Sequence, residues 1–214
     1  LFKKKIELIS NIHPQKKFNN NKIYIIDIDH KNSNYLHKCF KVAFRVLKSG
    51  LTNKFINGPI NKTKFLNKKF LGITEYISEH FKVKNNAMLI FNKELSVCPV
   101  TTHLPLKLVT KKITKKLIIE KIFLIDSFYK NHFGYKPNIA ITGINPHCES
   151  ILKQNEDKKI TLPAITQSKK LGFKIAGPFS ADTIFQKNNR KKFDVVVGMY
   201  HDQVLAPFKT LYEF

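Results

Sequence analysis

The chain has 214 residues, of which 43% are hydrophobic and 12% aromatic, so it can bury a sizeable core as one large domain or two small ones. It carries 38 Lys and Arg against 15 Asp and Glu, a formal net charge of +23. This composition excludes disorder, and no apolar run approaches the roughly 18 residues of a membrane span, so we expect a soluble protein with no membrane partner.

Apolar, β-branched runs alternate with longer Lys-rich segments of helical period, the pattern of an α/β fold. In chain order, the predicted strands are residues 23–28, 54–57, 87–92, 96–100, 138–142, 173–176 and 194–199. The predicted helices are residues 35–49, 74–81, 106–110 running on through 115–133, and 161–171. Residues 18–21 and 154–159 are polar and are predicted to form loops.

Three of the predicted strands end in the same way, with a histidine just past the carboxyl end. These histidines are His103, His147 and His201. In open α/β sheets, the carboxyl edge is where ligand sites form. Three neutral imidazoles bind Zn²⁺ or a related ion and leave one coordination position open for water or substrate. The pattern predicts a catalytic metal site assembled by the fold or across subunits, and the alternative is that each histidine merely ends a strand.

The other five histidines lie in polar or helical surroundings and are interpreted as surface or packing residues. They are His13, His30, His37, His80 and His132.

Two carboxylates and a thiol accompany the histidine motifs. Asp202 follows His201 directly and is a candidate to orient that ligand or to take part in proton transfer, with loop capping as the alternative. Asp182 lies in a turn that leads into a helix, where it is either a site carboxylate or the N-cap. Cys148 follows His147 and is interpreted as a small buried thiol rather than a metal ligand.

Three segments offer contacts for an anion. The helix start at residues 72–75 presents the hydroxyl of Thr74 and backbone amides, a phosphate cradle unless Thr74 only caps the helix. Lys62 follows a strand-to-loop turn. Lys209 lies eight residues past His201 and is a candidate to neutralise a phosphate or carboxylate. The alternative for both lysines is a solvated surface position.

The net charge itself points to no specific partner. It is spread along the whole chain, and a diffuse excess steers polyanions only weakly. Arg45 and Arg190 are the only arginines, and Lys lacks the planar fork that contacts phosphate or guanine in two places. We expect no specific nucleic-acid partner, and a Lys-rich polyanion binder is the alternative from another functional class.

The three cysteines indicate a reducing compartment. Cys39, Cys98 and Cys148 are unevenly spaced and contain no Cys-x-x-Cys pair, so we expect a cytoplasmic protein without a disulfide framework.

Four motifs resemble, in their order and approximate spacing, the 4-hydroxythreonine-4-phosphate dehydrogenase family of pyridoxal phosphate biosynthesis. The resemblance covers nearly the whole chain from about Ile23. The motifs are Thr101-Thr102-His103-Leu104-Pro105-Leu106, Gly143-Ile144-Asn145-Pro146-His147, Gly177-Pro178-Phe179-Ser180-Ala181-Asp182-Thr183 and Met199-Tyr200-His201-Asp202-Gln203.

The resemblance implies oxidation of the C3 hydroxyl of 4-phosphooxy-L-threonine with NAD or NADP. The 3-oxo product, 2-amino-3-oxo-4-phosphooxybutanoate, then loses carbon dioxide to give 3-amino-2-oxopropyl phosphate. The family's divalent metal, zinc with magnesium or cobalt as alternatives, chelates the substrate's amino and hydroxyl groups and lowers the hydroxyl pKa.

The resemblance also assigns roles to individual residues. The matched metal ligands are His103, His147 and His201. The matched carboxylates that keep the site intact are Asp182 and Asp202. The matched substrate contacts, chiefly to the phosphate, are Thr74 and Lys209.

The implied fold is like that of isocitrate and isopropylmalate dehydrogenases, with two α/β/α lobes around a cleft. The resemblance also implies a homodimer whose two subunits both contribute to each active site. Residues 1–70 match part of the first lobe, 71–190 match the second lobe with its dimer contacts, and 191–214 match a return to the first lobe.

The chain departs from the family pattern in three places. Ile73 stands where the family usually has His, which removes a phosphate-binding donor and makes a related dehydrogenase of 4-phosphorylated threonate or erythronate the alternative. Residues 148–150 replace a Gly-rich stretch. The family's Gly-Asp-Pro-Ala-Gly type opening lies before Leu1, and further substrate and nicotinamide positions lie beyond Phe214. We therefore expect a fragment that lacks both ends and is inactive alone, which NADH formation by this chain would refute.

Overall fold

The computed structural model describes residues 5–10, 12, 17–31, 34–67, 69–149 and 155–213. The chain divides into two compact units, Leu1–Phe70 and Leu71–Phe214. Each unit contains helices and a sheet of parallel strands, so the predicted α/β class is confirmed. Within the described residues, no helix is long and apolar enough to cross a membrane.

The first unit is a two-stranded parallel sheet with two helices. The elements are β1 Lys5–Leu8, β2 Lys22–Ile25, α1 Tyr35–Lys48 and α2 Lys62–Leu66. The buried rings of α1 lie four residues apart and so on one helix face, and they form an aromatic cluster with two rings from elsewhere in the unit. The cluster consists of Phe40, Phe44, Phe55 and Phe65, with centroids 4.8–6.2 Å apart.

The second unit contains a four-stranded sheet in the order β3-β6-β4-β5, with every pair parallel. The strands are β3 Ser96–Thr101, β4 Ile139–Thr142, β5 Ile175–Phe179 and β6 Val195–Tyr200. The helices are α3 Ile73–Phe81, α4 Leu106–Lys112, α5 Lys115–Phe133, α6 Leu162–Lys170, α7 Ala181–Ile184, α8 Lys187–Arg190 and α9 His201–Tyr212. A 3₁₀ turn at Pro146–Cys148 and a π-helical turn at Asp157–Thr161 complete the unit.

Both faces of this sheet are covered. Along β6, the side chains of Val195 and Val197 belong to the core that includes α5 and α6, whereas Val196 belongs to the core that includes α9. This alternation follows from the two-residue period of a strand, and it explains why the strand reads as a continuous apolar run. The result is a three-layer α/β/α arrangement.

Residues 191–214 belong to the second compact unit. The reason is that β6 pairs with both β3 and β4 at the centre of the sheet, and α9 packs against β3 and β6. Which lobe of a complete protein each unit represents stays a prediction.

Several element predictions are wrong. Residues 54–57 form no strand, because Phe55 packs its ring against α1. Residues 87–92 contribute only one antiparallel bridge, from Ile90 to Val97. The helix predicted through residues 106–133 is two helices, because Ile113 is extended and Thr114 caps α5 by accepting a hydrogen bond from Leu117 N at 3.1 Å.

The predicted polar loop at 154–159 is also wrong where it can be examined. Gln154 lies outside the described residues, but Asn155 and Asp157 are buried, and the chain enters a π-helical turn that leads into α6. Asp157 binds backbone amides of another loop, whereas Lys158 and Lys159 face water.

The packing of α9 on β6 depends on a glycine. A Cβ at Gly198 would lie 2.3 Å from Cγ1 of Val204 and 3.1 Å from Oε1 of Gln203. Any larger residue therefore forces α9 away from the strand.

We predict that Gly198→Ala lowers the free energy of unfolding by about 1–3 kcal/mol, as expected for overpacking. Val204→Ala removes the clashing methyl group, so the double variant should lose less than the two single variants together. Urea unfolding of the four proteins measures this coupling. Gly58→Ala, which places its Cβ in open space, is the control. If the stability losses of the two single variants simply add in the double variant, the close packing of Gly198 against Val204 is contradicted.

Candidate active site

The three strand-end histidines lie along one edge of the second sheet. His103 comes two residues after β3, His201 begins α9 directly after β6, and His147 lies five residues after β4. The sheet order places β6 between β3 and β4, and neighbouring strands are about 4.8 Å apart. Because the strands are parallel, all three carboxyl ends face the same edge, where open α/β sheets form ligand sites.

Two of the three histidines are direct neighbours. The ring centroids of His103 and His201 are 5.8 Å apart. His147 has a different neighbour, since the hydroxyl of Ser180, just past β5, is 3.4 Å from its Nδ1. Within the part of the chain that the structure describes, no group of three or more His, Cys, Asp or Glu side chains is arranged to hold a metal ion. The structure thus brings two of the predicted ligands together and leaves the third outside the pair.

Each imidazole has an oxygen atom near Nδ1, at hydrogen-bond distance for His201 and His147 and slightly beyond it for His103. The carboxylate of Asp202 is 2.6 Å from Nδ1 of His201, and the carboxylate of Glu75 is 3.6 Å from Nδ1 of His103. For His147 the neighbour is the serine hydroxyl described above, which is able both to accept the Nδ1 proton and to donate to Nδ1. An acceptor at Nδ1 favours the tautomer with its proton there and leaves the lone pair of Nε2 for a metal. The orientation of all three side chains is therefore compatible with ligation through Nε2.

The loop that carries His147 is held by a buried carboxylate. Asp157 is 1% exposed and accepts hydrogen bonds from the backbone amides of Ile144 at 2.7 Å and Asn145 at 3.0 Å. The Nδ2 of Asn145 donates a third, at 3.2 Å. These bonds support a strained turn, because His147 has a φ of +55°, which is uncommon outside glycine. Asp157 is therefore a positioning residue for this loop.

Gln203 joins the ends of β4 and β6. Its Oε1 accepts hydrogen bonds from Met199 N at 2.6 Å and from Thr142 Oγ1 at 2.8 Å. Its Nε2 donates to the carbonyl of Gly143 at 2.8 Å. One side chain thus ties together the two strands whose ends lead to His147 and to the histidine that begins α9.

The surroundings of Cys148 favour a protonated thiol. Burial raises the pKa of Cys148, and the negative charges of Asp157 and Asp182 raise it further. A thiol of this kind is a poor source of thiolate, although the Cys148 side chain is only partly buried and not fully buried as predicted. Asp182 lies exposed in the first turn of α7 and is not the N-cap, since that position belongs to Ser180.

The two predicted phosphate contacts lie on different helices. Thr74 is in the first turn of α3 and is not its cap, because Gly72 occupies the N-cap position. Lys209 is exposed on α9 and lies about 12 Å along the helix axis from His201. The structure does not bring Lys209 next to the histidine pair, and its contact with substrate stays a prediction.

Three polar residues of this edge have roles that sequence reasoning does not find. They are Glu75, Asp157 and Gln203. Glu75 and Gln203 stand inside motifs already singled out, so their position beside a candidate ligand is a usable signal. Asp157 lies in a Lys-rich polar stretch and offers no such signal.

The sequence matches a known protein family over almost its whole length. The model of the family described as pyridoxal phosphate biosynthetic protein PdxA matches residues 3–213. The 4-hydroxythreonine-4-phosphate dehydrogenase of Sulfurihydrogenibium sp. (strain YO3AOP1) is 43% identical over 157 residues, which are 72% of this chain and 48% of the relative. The enzyme of the same name from Aquifex aeolicus (strain VF5) is 37% identical over 181 residues, 83% of this chain and 54% of the relative. The chain spans about half the length of these curated relatives.

A solved structure shares the fold. The crystal structure of a 4-hydroxythreonine-4-phosphate dehydrogenase from Burkholderia phymatum matches with a TM-score of 0.76 and 28% sequence identity. The match covers 97% of this chain and 68% of the other chain.

The contacts of Gln203 lead to a test of stability. We predict that Gln203→Met lowers the free energy of unfolding by about 1–3 kcal/mol, because it leaves a buried amide and a carbonyl without partners. Gln203→Glu keeps both acceptor contacts but loses the donor to Gly143, so its loss should be detectable as well. Chemical unfolding measures both variants. The control is Gln167→Met, at an exposed position of α6, and an equal effect of the two Met variants would contradict the bridging role.

Proposed function

We infer the function of this chain from its family, since the chain belongs to the PdxA family of pyridoxal phosphate biosynthetic proteins. The protein acts as a 4-hydroxythreonine-4-phosphate dehydrogenase. It oxidises the C3 hydroxyl of 4-phosphooxy-L-threonine to 2-amino-3-oxo-4-phosphooxybutanoate, which decarboxylates to 3-amino-2-oxopropyl phosphate in pyridoxine 5'-phosphate biosynthesis. The observation that carries this proposal is the set of three histidines that follow three adjacent parallel strands.

The donor set at this edge fits a divalent metal ion. Three imidazoles suit zinc, with magnesium or cobalt as alternatives, and they leave a position open for substrate. His103, His147 and His201 are the proposed ligands, each through Nε2, since an oxygen faces Nδ1 of each ring. A bound ion supplies the positive charge that lowers the pKa of the substrate hydroxyl.

The carboxylates serve this chemistry in different ways. Asp202 fixes the ring of His201 through the 2.6 Å contact, and 83% of its side chain is exposed, so it is also placed to pass a proton to solvent. Asp182 lies in the loop after β5 and acts on the surroundings of Cys148 through its charge. We propose that Asp182 helps to keep the His147 side of the site in place.

The phosphate of the substrate is bound by the first turn of α3 together with Lys209. Thr74 supplies a hydroxyl and the helix start supplies backbone amides, which bind anions favourably. Ile73 begins this helix and offers only its backbone amide where the family usually has a His side chain. This difference favours one second candidate, a dehydrogenase of 4-phosphorylated threonate or erythronate.

NAD or NADP would be the hydride acceptor, and no residue of this chain is assigned to binding it. We further propose that two copies of the protein pair and share their active sites, because the described part of one chain gathers only two of the three histidines. A cytoplasmic location accords with three free cysteines.

Metal content tests the site directly. We predict that the purified protein binds about one divalent ion per site, and that His147→Ala loses most of it because a three-ligand site cannot hold zinc tightly with one ligand missing. Elemental analysis measures the ion. His132→Ala, at an exposed position of α5, is the matched control and should retain the metal. Equal metal content in the His147 variant would contradict the proposal.

Substrate choice is a separate test. We expect NAD reduction by the full-length protein with 4-phosphooxy-L-threonine, and little with the phosphorylated sugar acids. Faster reduction with 4-phosphothreonate or 4-phosphoerythronate would assign the second candidate instead. Ile73→His should strengthen binding of the phosphorylated substrate, seen as a lower KM with little change in kcat.

A further inference from the structure

The contact between Glu75 and His103 is energetically unfavourable in one respect, because it leaves polar atoms buried without hydrogen bonds. Their side chains are each about one-third exposed, yet Nδ1 of His103 and Oε2 of Glu75 are themselves buried without a hydrogen-bond partner. Buried polar atoms without a partner are rare, because each has lost its hydrogen bonds to water and gained none in the folded protein. Nδ1 lies 3.6 Å from Oε1 of the same carboxylate, so a small closure gives the imidazole its acceptor.

The carboxylate is aimed at the histidine from two sides. The hydroxyl of Thr102 donates a hydrogen bond to Oε1 of Glu75 at 3.3 Å. On the other side lies Gly72, where a Cβ would stand 2.6 Å from Oε2 of Glu75 and 3.1 Å from Cε1 of His103. The absence of a side chain at Gly72 therefore creates the space in which the carboxylate and the imidazole meet.

This glycine is not required by its backbone. Gly72 has a φ of −160°, an extended conformation that any residue adopts. The close approach of Glu75 and His103 is thus the local reason for a glycine here.

We propose that Glu75 is a positioning residue for His103. Its carboxylate accepts the Nδ1 proton, which fixes the ring and the tautomer and directs the Nε2 lone pair toward the sheet edge that His201 shares. The proposal rests on the proposed function, since it assigns the purpose of this orientation to metal binding. It makes α3 part of the site through an acidic side chain as well as through its phosphate-facing first turn.

The first test reads the tautomer of His103 in the metal-free chain by ¹⁵N NMR of the ring nitrogens. We expect the Nδ1-protonated form in the wild type and in Glu75→Gln, whose amide oxygen still accepts the proton. Glu75→Ala should shift the ring toward the Nε2-protonated form. An unchanged tautomer in Glu75→Ala would overturn the proposal, whether or not the protein binds a metal.

The second test measures affinity for Co²⁺ alone, from its absorption spectrum in competition with a chelator. We expect Glu75→Ala to weaken binding about 10- to 100-fold, the usual effect of losing a carboxylate behind a ligating histidine, and Glu75→Gln to weaken it less. Glu79→Ala removes the same charge from an exposed position one turn along α3 and should bind as the wild type does. Equal affinity in Glu75→Ala and the wild type would contradict the role.

Two further variants allow the same test if Glu75→Ala folds poorly. Gly72→Ala leaves the carboxylate in the chain but fills its space, so it should change both the tautomer and the affinity in the same direction. Thr102→Val should do so more weakly. If the wild type binds no Co²⁺, the proposed function fails, whereas normal metal binding with no effect in any variant sinks only the role of Glu75.

Discussion

The backbone hydrogen bonds that hold β6 between β3 and β4 determine where the candidate catalytic side chains lie. Because the three strands are parallel and share a register, their carboxyl ends reach the same edge of the sheet. A histidine follows each of them within a few residues. No contact between the histidines is needed to bring them to this edge, and the apolar faces of the sheet, covered by helices on both sides, supply the stability.

Register alone does not orient an imidazole, and three polar side chains that lie partly or fully buried at this edge act here. Asp157 binds two backbone amides of the loop before His147, and Gln203 joins that loop to the end of β6. Glu75 faces Nδ1 of His103 from α3. Asp157 is buried and the other two side chains are partly buried, so each loses hydration, and hydrogen bonds offset this desolvation cost. The desolvation cost of these three side chains is consistent with a site in which fixed side-chain geometry matters more than the stability of the fold.

The sequence predicts the framework of this arrangement well, because β-branched apolar runs indicate strands and parallel strands must end at a common edge. It predicts the surrounding detail poorly. Asp157 reads as part of a polar loop, since a sequence pattern does not show that a carboxylate faces amides from another segment. The sequence does not predict helix α9, because Pro207 interrupts its helical pattern of apolar residues. Packing of Phe208 and its neighbours nevertheless stabilises the helix. Long-range contacts of single side chains decide such cases.

We propose above all that the three strand-end histidines bind one metal ion through Nε2. Anomalous diffraction at the zinc absorption edge, from crystals of the protein grown with zinc, tests it most directly. The account predicts an anomalous peak about 2.0–2.1 Å from Nε2 of His103, His147 and His201, contributed by one copy of the chain or by two. A peak on other residues, or coordination that omits these histidines, would contradict it.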